Sequence, residues 1–342
     1  MTKEKKKRKG RIIGKVFFVL GLILSISIGS MAATVVHKGD SMLGLINYDK
    51  DNSLSMMDLT KYKLDSDTEI VNILLVGADK NADEQNQKGA ERRSDSMMIA
   101  TMDIKHSKLK ITSLMRDMYV NIPGHGGNKL NSAYSFGGIQ LLYETIAENF
   151  GIQMDGYAEV NFDAFVNVID KLGGIEVKLT ESEAKHLNAT NYIKRKKYRN
   201  VKVGTQKING YQALGYCRIR HGKKQADGRY PGVYTASGKG DDYGRTERQR
   251  LTMQAVLKKI KTLSPMELLE LAQVILPNIK TDVSKKMIYS YLMALIQMGT
   301  TELKQFRVPI DGAFTSQVIN GGQCLVPDLP ANKSALRKFI FQ

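Results

Sequence analysis

Apolar and polar positions follow several distinct rhythms along this chain, and each rhythm predicts an element. The simplest is residues 16–36, VFFVLGLILSISIGSMAATVV, which hold no charge. A helix of that length spans about 30 Å, the thickness of a bilayer's hydrocarbon core. It predicts one N-terminal transmembrane helix, with a cleaved signal peptide as the alternative because small residues cluster at Ser30-Met31-Ala32-Ala33. Residues 37–66 are polar with weak helical hints and read as a stalk. Residues 69–76 are nearly continuous in apolar side chains, the pattern of a buried central strand, and end in Gly77-Ala78-Asp79. Further strands are predicted over 96–102, 110–114, 157–160 and 175–179, with a closing edge strand at 304–310.

Helical spacing fills the gaps. Ile139, Leu142, Ile146 and Phe150 form one stripe, and Phe162, Phe165, Val166 and Ile169 a second, stopped by Gly173-Gly174. Met253, Val256, Leu257, Ile260 and Leu263 form a third, and two more helices are predicted over 265–275 and 284–298. The Gly- and Pro-rich residues 312–342 read as a loosely ordered tail. The fold class is α/β, with one catalytic-sized domain over 67–311.

Charge sharpens the topology. Residues 1–15 carry eight Lys and Arg against one Glu, a net +7 beside the uncharged span, leaving +10 of the total +17 for the rest. That asymmetry predicts a single-pass cell-membrane protein with its N-terminus inside and its domain outside the cytoplasm. Fifteen cytoplasmic residues cannot form a helix-turn-helix, so nucleic acid is not an expected partner. Two cysteines, Cys217 and Cys324, are too few for a disulfide framework.

Candidate chemistry lies in the arginines. If residues 216–220 are extended, Arg218 and Arg220 share one face. Projecting the third apolar stripe back by 3.6 residues per turn puts Arg245 and Gln249 on its core side, with Arg248 at the edge. Arginines gathered near a helix N-terminus call for an anion, and their planar forks suit phosphate. Asp79, at the carboxyl end of a strand, stands where ligands bind in open α/β sheets. The run Lys194–Arg199 reads as a solvated loop, or else as a docking site for an anionic polymer.

The ordered set Asn72–Asp79, Arg93-Ser94-Asp95-Ser96-Met97, Arg116-Asp117, Lys129–Tyr134, Arg218-Ile219-Arg220 and Asp242–Arg245 with Arg248-Gln249 resembles the LytR–CpsA–Psr family over roughly residues 65–310. The resemblance implies a three-layer α/β/α domain with a central mixed sheet. It implies a transferase of Gram-positive envelopes that moves a glycopolymer (teichoic acid, capsule or another wall polysaccharide) from a polyprenyl-pyrophosphate carrier to a peptidoglycan hydroxyl. Asp79 and Asp95 resemble the magnesium ligands, with manganese as an alternative ion. Arg93, Arg116, Lys129, Arg218, Arg220, Arg245, Arg248 and Gln249 resemble substrate contacts, and Asp117 and Asp242 supporting acids or the general base. Arg116, Asp117, Arg218, Arg220, Asp242 and Arg245 form the expected catalytic set. Two other readings fit the same residues: a pyrophosphatase acting on the carrier, and a non-catalytic regulator that binds wall polymer.

Overall fold

The computed structural model describes residues 47–49, 53–54, 57–78, 94–222, 230–263, 267, 270–271, 276–298 and 302–342. In chain order the first elements are β1 (Asn47–Tyr48), β2 (Ile70–Ala78), β3 (Ser94–Asp103), β4 (Lys108–Leu114), β5 (Tyr119–Ile122), β6 (Gly126–Lys129), α1 (Leu130–Phe150) and β7 (Gly156–Asn161). Next come α2 (Phe162–Lys171), β8 (Ile175–Leu179), α3 (Glu181–Ala189), β9 (Gly204–Ile208), α4 (Gly210–Arg218) and α5 (Asp241–Ile260). The chain closes with β10 (Ile279–Thr281), α6 (Lys285–Met298), β11 (Leu303–Val308), β12 (Phe314–Ile319), β13 (Gly322–Pro327) and α7 (Leu329–Phe341).

Seven strands form a mixed sheet in the order β1-β10-β7-β2-β3-β4-β11. β2 runs antiparallel to β3 and parallel to β7. Because side chains alternate along a strand, β2 serves two faces at once. Ile70, Leu74 and Val76 join Met97 and Ile99 of β3 in the main core, which α1 and α7 close with Leu142, Ile146, Leu336 and Ile340. On the opposite face Val71 and Ile73 pack with Met102 and Leu109 under α5 and α6. Leu75 and Gly77, further along the same face, meet no such packing and border a cavity.

A second core fills the region from α2 to α4. Ile169, Ile175, Leu179, Leu187, Ile208, Ala213 and Tyr216 make its centre. α2 and α4 approach so closely that a Cβ on Gly210 would lie 2.3 Å from the Val166 carbonyl oxygen, so only glycine fits there. Asn209 and Gln212 form a capping box that starts α4 at that contact.

The structure differs from the sequence reading at four places. Residues 216–220 are not a strand: α4 runs to Arg218, and Ile219 (φ −57°, ψ 128°) turns the chain out of the helix. Residues 124–131, which read from their glycines as a loop, instead hold β6, and β5 and β6 form a hairpin that leads straight into α1. The stalk does not stay outside the domain, because β1 pairs with β10 and Leu54, Leu59 and Tyr62 pack on the main core. The C-terminal segment is not loosely ordered; it forms the β12–β13 hairpin and α7. α7 is bound by Lys110, whose buried Nζ donates to the Ile340 carbonyl (2.7 Å) and pairs with Asp103 (2.7 Å). A lysine at a helix C-terminus also meets the negative end of its dipole. No helix among the described residues is long and apolar enough to cross a membrane, and the expected span at 16–36 lies outside them.

Candidate active site

Three segments converge at one end of the sheet: the turn after β4, the exit of α4, and the first turns of α5. Asp242, in the first turn of α5, accepts from Arg245 Nη2 through Oδ2 (2.8 Å). Its Oδ1 lies 3.2 Å from Arg220 Nε and 3.8 Å from Arg116 Nε. Asp117 is the second carboxylate. Lys129, at the end of β6, donates to its Oδ1 at 3.0 Å, while its Oδ2 stands 3.6 Å from Arg116 Nε and 3.8 Å from Arg220 Nη2. Burial alone would raise the Asp117 carboxyl, but the Lys129 hydrogen bond and the charges of Arg116, Lys129 and Arg220 outweigh it and hold it below the usual carboxylate range.

Arg218 completes the set from the last turn of α4, its guanidinium 5.2 Å from the centre of the Phe162 ring. Five cations thus stand with Asp117 and Asp242, and Asp241 on the second cavity adds a third carboxylate, a net +2 among the described side chains. Asp117 and Asp242 sit between the arginines and temper their mutual repulsion, yet leave the site short of negative charge. An anion of two charges would balance it.

Two cavities meet at these arginines. The first, about 1040 Å³, is the space left between the sheet and the second core. Its walls are apolar: Leu75, Met98, Ala158 and Val160 from the sheet, Phe165 and Val168 from α2, Leu214 from α4, and Met253, Val256 and Ile260 from α5. Arg116, Arg218, Arg220, Arg245 and Gln249 stand at its polar end. The second cavity, about 960 Å³, is polar and is lined by Asp117, Lys129, Asn131, Ser132, Asp242, Ser316 and Gln323. Arg116 and Arg220 border both.

The predicted residues therefore divide. Arg116, Asp117, Lys129, Arg218, Arg220, Asp242, Arg245 and Gln249 come together around the two cavities. Arg248 is a correction. It is wholly buried, with Nε on Glu183 (2.7 Å), Nη1 on the Ile219 carbonyl (3.0 Å) and Nη2 on the Val233 carbonyl (2.8 Å). Each of its three nitrogens donates inside the protein and it borders neither cavity, so it fixes the turn that carries Arg220 rather than meeting a ligand. Asp79 and Arg93 lie outside the described residues. Asp95 lies on β3 between Ser94, paired with Ala78, and Ser96, paired with Gly77, so it is the extra residue of a β-bulge. Ser96 donates to Gln249 Oε1 (3.3 Å), which holds this bulged end of β3 against α5.

Sequence reasoning missed His186, His221 and the far wall of the second cavity. His186 lines the apolar cavity with its Nε2 unpartnered among the described residues; burial first, then the charges of Arg248 and His221, push it below the usual histidine value. His221 borders both cavities. Neither histidine stands in a motif, so no local signal marked them. Ser316 and Gln323 of the β12–β13 hairpin did have a signal, the Asn320-Gly321 turn.

An apolar cavity thus ends in an arginine cluster on a mixed α/β fold. The LytR_cpsA_psr family model matches residues 34–338, and the chain belongs to that family. The chain is 29% identical over 274 residues to the regulatory protein MsrR of Staphylococcus aureus, covering 79% of this chain and 74% of MsrR. It is 29% identical over 283 residues to the polyisoprenyl-teichoic acid–peptidoglycan teichoic acid transferase TagU of Bacillus mycoides, covering 80% of each chain. Its fold matches the LytR-CPS2A-psr family protein YwtF (TagT) with bound octaprenyl pyrophosphate lipid, at a TM-score of 0.57 and 21% identity, over 86% of this chain and 99% of that one.

Proposed function

We propose that this chain is a transferase that takes a polyprenyl-pyrophosphate-linked glycopolymer, joins the polymer through a phosphodiester to a peptidoglycan hydroxyl, and releases polyprenyl phosphate. The observation that carries the reading is the junction itself: an apolar cavity and a polar cavity that share Arg116 and Arg220. The first suits the prenyl tail, the arginines suit the pyrophosphate, and the second gives carbohydrate hydroxyls an approach to the same phosphorus. The TagU relative and the lipid-bound YwtF structure support the same assignment of ligand class.

In this mechanism the acceptor oxygen attacks the sugar-bearing phosphorus, the new O–P bond forms, and the bond to the bridging oxygen breaks, so the electron pair leaves on polyprenyl phosphate. Arg116, Arg220 and Arg245 oppose the charge that grows on that leaving group. Asp117 and Asp242 both border the polar cavity, where either can orient the acceptor hydroxyl and take its proton. The chemistry a magnesium ion supplies, when held by Asp79 and Asp95, is neutralisation of phosphate charge. Two carboxylates suffice for that role, since magnesium is often held by only one or two together with substrate phosphates. Residues 16–36 are proposed as the anchor, with the domain outside the cytoplasm.

The test is a transfer assay with a radiolabelled polyprenyl-pyrophosphate saccharide and wall sacculi. Label fixed to the wall with stoichiometric release of polyprenyl phosphate is expected. Release with no label in the wall, at the same rate without sacculi, would make the chain a pyrophosphatase instead.

A further inference from the structure

The basic run Lys194–Arg199 takes no part in the site above, and its setting points to a ligand of its own. Residues 184–222 hold ten Lys and Arg and no Asp or Glu. Four of them, Lys194, Arg195, Lys196 and Lys197, are consecutive and exposed. None of the four forms an ion pair with a carboxylate among the described residues; aromatic rings hold two of them instead. Arg195 lies 4.6 Å from the centre of the Tyr211 ring and Lys197 4.9 Å from that of Tyr198.

This is a built surface rather than a loose loop. Ile193 and Val201 are buried at its two ends. Arg199 Nε donates to the Ile193 carbonyl (2.9 Å), Asn188 and Val201 exchange two hydrogen bonds (2.8 and 3.0 Å), and Gln212 Nε2 donates to the Tyr198 carbonyl (3.0 Å). A single 3-10 turn over Lys196–Tyr198 presents the charges. Val203, four positions after Arg199 in the chain, is 61% exposed.

The run also follows directly on the wall of the apolar cavity. Ala189, Thr190, Asn191 and Tyr192 line that cavity, and Ala189 and Asn191 are solvent-exposed, so the cavity opens here. We propose that Lys194–Lys197, with Tyr198 and Val203, dock this opening on an anionic lipid surface, so that a prenyl tail passes between bilayer and cavity without crossing water. The proposal rests on the lipid-carrier reading above. A long apolar chain crosses an aqueous gap only at a cost that grows with each methylene, so an opening held against the bilayer removes the largest barrier to loading. Lysines with an aromatic and an exposed aliphatic neighbour match a headgroup boundary, where charge meets phosphate and the apolar bodies reach below it. A soluble polyanion would use the charges alone and leave Val203 in water.

The full-length chain in nanodiscs tests this, with an environment-sensitive fluorophore on Val203→Cys. Cys217 and Cys324 are buried, and the unmodified chain measures any background labelling. In phosphatidylglycerol discs the emission is expected to shift blue, and in phosphatidylcholine discs to stay at its aqueous value. The shift is expected to reverse in about 0.5 M salt, where the screening length falls to roughly 4 Å. Lys194→Gln/Lys196→Gln/Lys197→Gln, changing three exposed side chains, is expected to behave in phosphatidylglycerol as the parent does in phosphatidylcholine. Equal spectra in the two lipids would overturn the proposal. So would an equal blue shift in phosphatidylcholine discs on adding a soluble polyglycerol phosphate, which would assign the run to polymer. The lipid-carrier reading is checked separately: a polyprenyl pyrophosphate analogue in detergent raises the melting temperature if that reading holds, whatever the probe on Val203 reports.

Discussion

Two arginines 28 positions apart, Arg220 and Arg248, show how little residue type alone decides. Both sit in the same cluster of motifs, yet one borders two cavities and the other is sealed inside the second core. Arg220→Ala should leave the fold nearly as stable, because the Arg220 side chain is 36% exposed and its partners Asp117 and Asp242 keep Lys129 and Arg245. Polyprenyl pyrophosphate binding should fall severely, since a charge-assisted hydrogen bond contributes about 1.5–3 kcal/mol. Lysine at 220 should restore it only in part, because the fork is lost. Arg248→Ala should cost about 3–5 kcal/mol, as it strands the Glu183 carboxylate in the core. Urea denaturation with calorimetric titration of a lipid analogue checks both, and the reverse ordering would refute the assignment. The helical projection placed Arg245 and Gln249 correctly because a 3.6-residue period is a geometric constant. Arg248, only 60° or so off that face by the same period, was misplaced because the buried Glu183 that claims it lies 65 positions away.

At the scale of elements, long periodic segments were legible and the C-terminal ones were passed over. β2, α2, β8, α5 and α6 follow from apolar spacing that tertiary contacts only confirm. The β12–β13 hairpin turns at Asn320 (φ 52°) and Gly321 (φ 73°), the left-handed pair of a two-residue hairpin, and Asp328 caps α7 through Ala331 with Pro330 in the first turn. Those signals were in the sequence, but glycine and proline also mark disorder, and exposed strand residues such as Ser316 and Gln317 hid the alternation. The error at 216–220 is of another kind, since Arg-Ile-Arg alternates equally well as a strand or as the turn after a helix. Gly321→Ala places a Cβ in open space, so its cost is conformational alone, about 1–2 kcal/mol. It should loosen the hairpin wall of the polar cavity, lowering transfer while leaving lipid binding intact. Deleting 312–342 should instead abolish folding, because Leu336 and Ile340 leave the main core and Asp103 loses no partner but Lys110 loses the Ile340 carbonyl.

For the whole molecule, stability should depend on pH through groups of opposite sign. Burial works against Asp103 and Asp117, but hydrogen bonds from Lys110 and His106 in one case, and from Lys129 with arginine charges in the other, hold both below the usual range. Their contribution is complete above the unfolded carboxylate value of about 4 and is lost as pH falls through the folded one. Burial raises Asp155 and Asp282, so these two oppose the trend: they favour the folded state below about 4 and give up that contribution as pH rises through their folded values. Denaturant midpoints across pH 2–8 for the wild type and Asp117→Asn should converge at the acid end and separate towards neutrality, the variant being the less stable there.

The same molecule keeps a large apolar hollow between two filled cores, which is costly unless something occupies it. Ala158, on the central strand β7, borders it, and Ala158→Phe would place a ring in the empty space. If the hollow holds a prenyl tail, this variant should melt no lower than the parent in the absence of lipid, because it gains apolar contacts without displacing any. Addition of a long-chain polyprenyl pyrophosphate should then raise its melting temperature far less than it raises the parent's, while a short prenyl analogue should still stabilise both. The arginines would be untouched, so the head group would keep its affinity and only the tail would be rejected. Equal stabilisation of parent and variant by the long chain would place the tail elsewhere and leave the hollow unexplained.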